Sequence, residues 1–174
     1  MRNITRIFAT VAVVALSGLA TTSFGQATAT AQADAHATIV TPISIVKVAD
    51  MEFGNIAVGA TGGTVDLPTS GSRTSTGGVT LPAVTGTVNA ASFTVSGQAN
   101  YAYGVTLPAS ITIASGANSM TIGSIISNPS TTNGVLSGTG SQTLSVGGTL
   151  TVGASQAAGS YSTAATFPVT VVYN

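Results

Sequence analysis

An all-β sandwich is the fold class this sequence predicts, on three observations. After the first 27 residues, apolar side chains recur with period two almost everywhere and nowhere hold helical spacing over three turns. Turn-forming clusters such as Gly59-Ala60-Thr61-Gly62-Gly63, Asn128-Pro129 and Asn133-Gly134 cut the chain into many short segments. Only 5% of the residues are charged, yet 44% are hydrophobic, so the chain has the apolar content to fold rather than stay disordered. Many short strands with frequent turns favour a sandwich over a helix-covered parallel sheet.

The elements follow in order. Arg2 and Arg6 precede an apolar run from Ile7 to about Ala20, then small and polar residues, the pattern of a secretory signal peptide. Residues 1–27 are assigned to it, with cleavage after Gly25 or after Ala27. Residues 28–38 form an extended N-terminal arm, and 39–174 the β-sandwich domain. In the arm Ala29, Ala31, Ala33, Ala35, Ala37 and Ile39 alternate with Thr30, Gln32, Asp34, His36 and Thr38, which in an extended chain makes one face apolar and the other polar. Strands are expected at Ala35–Val48, Met51–Val58, Gly63–Leu67, Val79–Val84, Ser92–Gly97, Tyr103–Leu107, Ile111–Ala114, Ser119–Ile126, Gln142–Val152 and Tyr161–Tyr173. In the last of these, Phe167, Val169, Val171 and Tyr173 share the inward face, and Pro168, which lacks an N–H, marks an edge strand or a bulge.

From Thr74 to Asn174 there is no Asp, Glu, Lys, Arg, His, Cys or Trp. General acid–base catalysis needs a tunable titrating group, and metal sites need imidazole, thiolate or carboxylate ligands, so no catalytic, cofactor or metal residue is assigned and no enzyme is expected. Asp34 and His36 stand two apart on one face of the arm, but no nucleophile motif accompanies them and they read as solvated strand residues. Asp50, Glu52 and Asp66 match no calcium-loop spacing. Arg73 reads as a loop charge, with an ion pair across a subunit junction as the functional alternative. Tyr101 and Tyr103 are expected on one strand face, as packing or as a stacking surface for sugar. Gly138-Thr139-Gly140 and Gly147-Gly148 lack the Lys-Ser/Thr of a phosphate loop and read as turns or bulges.

Without the signal, Lys47 and Arg73 face Asp34, Asp50, Glu52 and Asp66, so no basic patch exists for nucleic acid. No later segment approaches the ~20 apolar residues of a spanning helix. There is no Cys, so the domain must be held by its core and its ladders. So few charges make a free monomer prone to self-association.

The stretches ATIVTPISIVKVADMEFG (Ala37–Gly54), GSRTSTGGV (Gly71–Val79), Phe93–Leu107 with Gly97 and Tyr103, VGGTLTV (Val146–Val152) and GSYSTAATFPVTVVYN (Gly159–Asn174) resemble a bacterial secreted family of unknown function, DUF4402. Its members look like fimbrial major subunits of the Mat/Ecp type. That resemblance implies an immunoglobulin-like, pilin-like subunit lacking its final strand, completed by the N-terminal arm of the next subunit. The interacting residues would be Ala29, Ala31, Ala33, Ala35, Ala37 and Ile39 on the arm and Phe167, Val169, Val171 and Tyr173 on the last strand. It further implies self-assembly with identical or related subunits, passage through the periplasm with a chaperone and an outer-membrane usher, and display at the cell surface. The chain departs from chaperone–usher subunits in having Tyr161 where they carry Gly, with Gly159 two positions earlier, and in lacking their disulfide. Competing expectations are a monomeric adhesin or carbohydrate-binding module, and an outer-membrane β-barrel. The barrel is disfavoured because aromatic girdles need more than 5% aromatic residues and strands free of Gly and Pro.

Overall fold

In the computed structural model, Gly25 and residues 27–174 are described; the expected signal peptide falls almost wholly outside them. Residues 27–43 carry no strand, and 27–39 are exposed throughout. The chain divides into two units at Thr38/Ile39. The second unit is built of twelve strands: β1 (Ser44–Ala49), β2 (Glu52–Phe53), β3 (Ala57–Leu67), β4 (Thr74–Thr80), β5 (Val88–Asn89), β6 (Ala91–Ser96), β7 (Ala102–Thr106), β8 (Ile111–Ser115), β9 (Asn118–Asn128), β10 (Gly134–Val135), β11 (Ser141–Val152) and β12 (Thr170–Tyr173). Every ladder is antiparallel. No helix is present among the described residues.

β11 organises the large sheet. Ser145 and Val146 pair with both β6 and β9, and Thr149–Thr151 pair with both β3 and β9. β6 and β3 therefore share one edge of β11 end to end, while β9 takes the other. β1 continues outward from β6, β4 from β3 and β8 from β9. A second sheet, β10-β7-β12, and the short pair β2-β5 supply the opposing layer.

Period-two patterning in β11 explains the core. Leu144 and Val146 point into one apolar cluster with Ala91, Phe93, Val95, Tyr103, Val105 and Leu136. Leu150 and Val152, on the same face, enter a second cluster with Phe53, Val65, Leu67, Val79, Ile111 and Ile122. Gly147 and Gly148 lie between them at a register shift against β9, which fits the bulge and not the turn of the two expected alternatives. No polar or charged residue is fully buried among the described residues. The first cluster is roofed by β7 and β10. Among the described residues the second is covered by the β2-β5 pair and irregular chain, with Ile113 and Met120 at its margin half-buried.

Four expected strands are corrected. The first begins at Ser44 rather than Ala35, beyond Pro42, which has no N–H to give a ladder. Met51–Val58 is broken at Gly54, whose φ of 66° interrupts the extended chain between β2 and β3. Val79–Val84 ends at Thr80, before Pro82, but begins earlier, because Thr74–Gly78 extends β4 along the edge of β3. The expected turn at 59–63 lies instead inside β3 as a wide bulge: pairing jumps from Val58↔Val79 to Gly63↔Gly77. Last, Tyr161–Tyr173 forms a ladder only from Thr170 onward.

Candidate functional site

Over the second cluster an open groove of about 1110 Å³ runs between two walls from opposite ends of the chain. Its floor is apolar, with Ile111, Ile113, Met120, Ile122, Leu150 and Val152 from β8, β9 and β11. One wall is Asp50–Val58 and the other Gln156–Thr163 with Thr166 and Phe167. A small recess bounded by Lys47, Ala49, Phe93 and Phe167 shares Lys47, Asp50, Thr163, Thr166 and Phe167 with the groove and extends it toward β1.

The second wall has the side-chain pattern of a strand without its ladder. Tyr161, Thr163, Phe167, Val169, Val171 and Tyr173 are each half-buried while their even-numbered neighbours are exposed. Ser162 makes one isolated bridge to Ala114, donating and accepting at 3.0 and 2.8 Å. From Thr163 to Val169 no backbone hydrogen bond to another described residue forms. Such main-chain groups are the template for an added strand. Among the described residues β1 pairs only with β6, and β12 only with β7.

Phe167 packs against both apolar clusters, and Val169, Val171 and Tyr173 against the first. The hydroxyl of Tyr173 donates to the Thr41 carbonyl at 2.7 Å and accepts from the Gln98 amide at 2.6 Å. Gln98 Oε1 in turn accepts from the Thr41 amide at 3.2 Å. This closed ring of bonds ties the penultimate residue to the segment leading into β1. Tyr173→Phe keeps the aromatic packing but removes two of these bonds, leaving the Gln98 main-chain N–H and the Thr41 carbonyl without the hydroxyl, and is expected to lower stability by about 1–2 kcal/mol in urea titrations.

Arg73 bonds to main-chain groups of its own domain. Its Nη1 donates to the Phe53 carbonyl and its Nη2 to the Thr85 carbonyl at 3.2 Å. Thr85 O also accepts from the Asn55 amide at 2.7 Å. The guanidinium thus fastens the Phe53–Gly54 stretch, in the middle of one groove wall, to the 81–87 loop. Losing these charge-assisted bonds in Arg73→Met should cost about 1.5–3 kcal/mol by the same measurement.

The remaining sequence candidates are dispersed. Asp34 and His36 are exposed on the arm, as are Ala29, Ala31, Ala33, Ala35, Ala37 and Ile39. Asp50 forms an ion pair with Lys47 at 2.7 Å, and Asp66 accepts from Thr149 Oγ1 at 2.9 Å. Among the described residues no group of three or more His, Cys, Asp and Glu could hold a metal. Tyr101 and Tyr103 do not share a surface: Tyr103 is wholly buried, while Tyr101 lies in the turn before β7, edge-on to Tyr173 at 5.6 Å between ring centroids. The groove itself was foreshadowed only by the alternation from Tyr161 to Tyr173 and the missing donor at Pro168. No motif marks its other wall.

Among the described residues, no helix is long and apolar enough to cross a membrane. The profile of one family, described as "Domain of unknown function (DUF4402)", matches residues 43–173. No curated protein and no solved structure matches the chain.

Proposed function

The chain belongs to the DUF4402 family, and from that premise we propose that it is a non-enzymatic structural subunit of a bacterial surface filament, assembled by strand complementation. The observation that carries this reading is the groove: an apolar floor on which Ile113 and Met120 stay half-buried, beside a wall that runs into residues 163–169, which make no main-chain hydrogen bond to another described residue. An added strand would cover the floor and satisfy that wall together. Main-chain hydrogen bonds would supply affinity, and alternate side chains the fit.

The arm supplies a strand of suitable pattern. Its Ala face suits close approach to the floor, and its Thr, Gln, Asp and His face suits water. In this reading the domain is pilin-like in its incompleteness, and the N-terminal 27 residues export it to the periplasm and then to the cell surface. Scarce solubilising charge is consistent with a protein whose working state is an assembly.

Electron microscopy of material sheared from cells producing the full chain tests the proposal. Thin filaments built of this protein are the expected result. A monodisperse monomer that binds glycan and keeps binding without its arm would favour an adhesin module instead.

A further inference from the structure

We propose that the arm of a second copy docks in the groove in one charge-defined register, His36 against Glu52 and Asp34 against Lys47, and that this makes assembly sensitive to pH. The inference rests on the strand-complementation reading above and adds the alignment of the two copies and its control.

The observation is where the charges lie. From residue 27 onward the charged and imidazole side chains are Asp34, His36, Lys47, Asp50, Glu52, Asp66 and Arg73. Asp66 and Arg73 are engaged elsewhere, with Thr149 and with the Phe53 and Thr85 carbonyls. All the others lie on the arm or on the groove. Lys47, Asp50 and Glu52 line the same wall, and Tyr161 is the one titratable side chain facing them from the opposite wall.

Spacing along the chain matches the two sets, with Lys47 standing at Asp50 through their ion pair. Asp34 and His36 project from one face of an extended chain, about 7 Å apart, while the Ala residues occupy the other face. With Ala33, Ala35 and Ala37 turned toward the floor, Asp34 and His36 turn toward the rim. Asp50 and Glu52 have the same two-residue separation. Lys47 already holds Asp50 at 2.7 Å, the one ion pair among the described residues, which leaves Glu52 to receive a cation. The Lys47 ammonium has further N–H groups to give to Asp34.

The sign of the pH effect follows. Imidazole is the side chain whose charge ordinarily changes between about pH 5 and 8. Placed beside Glu52 in the assembly, the imidazolium is stabilised relative to the free arm, so the assembled state binds the proton more tightly. Assembly is strengthened as pH falls through that range and weakened as pH rises through it.

The test uses filaments of the full chain, followed by light scattering as they dissociate in dilute denaturant at about pH 5.5 and about pH 8. Dissociation is expected to be about threefold slower at the lower pH, the scale of one partly exposed ion pair. That difference should vanish in both His36→Gln and Glu52→Gln, while His36→Lys should dissociate slowly at both pH values. Wild-type filaments without a pH response, or either Gln variant retaining it, would overturn the register yet leave strand complementation standing. Absence of filaments from the unsubstituted chain would overturn the underlying reading as well.

Discussion

Deleting residues 28–36 is expected to abolish filaments while leaving a secreted domain that aggregates through its open edges. Alternation sets the two faces of the arm. In an extended chain Ala29, Ala31, Ala33 and Ala35 fall on one face, and the groove floor of Ile113, Met120, Ile122 and Leu150 is apolar. Contact between them removes apolar surface from water on both partners. The wall from Thr163 to Val169 gains main-chain partners in the same step. Ala31→Asp or Ala33→Asp should then match the deletion, because a carboxylate would be forced against hydrocarbon without a partner. Thr30→Asp, on the other face, should be tolerated. Electron microscopy and sedimentation of the four variants read the result. If the truncated chain still polymerises, or stays a well-behaved monomer of unchanged stability, the arm is a linker and strand complementation is wrong.

Side-chain faces were legible in the sequence; pairing was not. Alternation places a strand at Gln142–Val152, and in β11 Leu144, Val146, Leu150 and Val152 enter the core. The same alternation in Tyr161–Tyr173 correctly separates half-buried from exposed residues, with Ala165 the exception, yet only its last four residues join a ladder. Period two reports which way side chains point. A ladder also needs a neighbouring strand, and for 163–169 the described chain provides none. At Thr74–Gly78 the failure is opposite: β4 is an edge strand whose polar, glycine-containing sequence carries no apolar period, and its partner β3 defines it through pairs such as Thr64–Thr76, whose hydroxyls bond at 2.7 Å. The Arg73 clamp was illegible because its acceptors are carbonyls, Phe53 and Thr85, which no residue type announces.

The largest loss of stability from a single side chain is expected at Tyr103. It is fully buried at the centre of β7, paired with Tyr173 of β12 on one side and Gly134 of β10 on the other. A Cβ at Gly134 would run into the phenol ring, so the strand approaches as closely as it does only because that position has no side chain. Tyr103→Ala empties this site and should cost about 3–5 kcal/mol in urea titrations, as for buried aromatics generally. Tyr103→Phe separates ring from hydroxyl. The hydroxyl donates to Gln142 Oε1 at 2.8 Å, and that oxygen also accepts from the Val135 amide at 3.1 Å, so it keeps one partner in the variant. The cost should therefore be only about 1 kcal/mol near neutral pH. Burial raises the Tyr103 phenol above its ordinary value of 10.0, because the phenolate would lose hydration. The fold thus favours the neutral phenol: this contribution is complete below about pH 10 and is lost as pH rises through the folded-state value. Wild-type stability should fall in that alkaline range more steeply than that of Tyr103→Phe. Parallel slopes for the two proteins above about pH 10 would show that the phenol ionises as readily in the fold as in the unfolded chain, and that its surroundings are wetter than described.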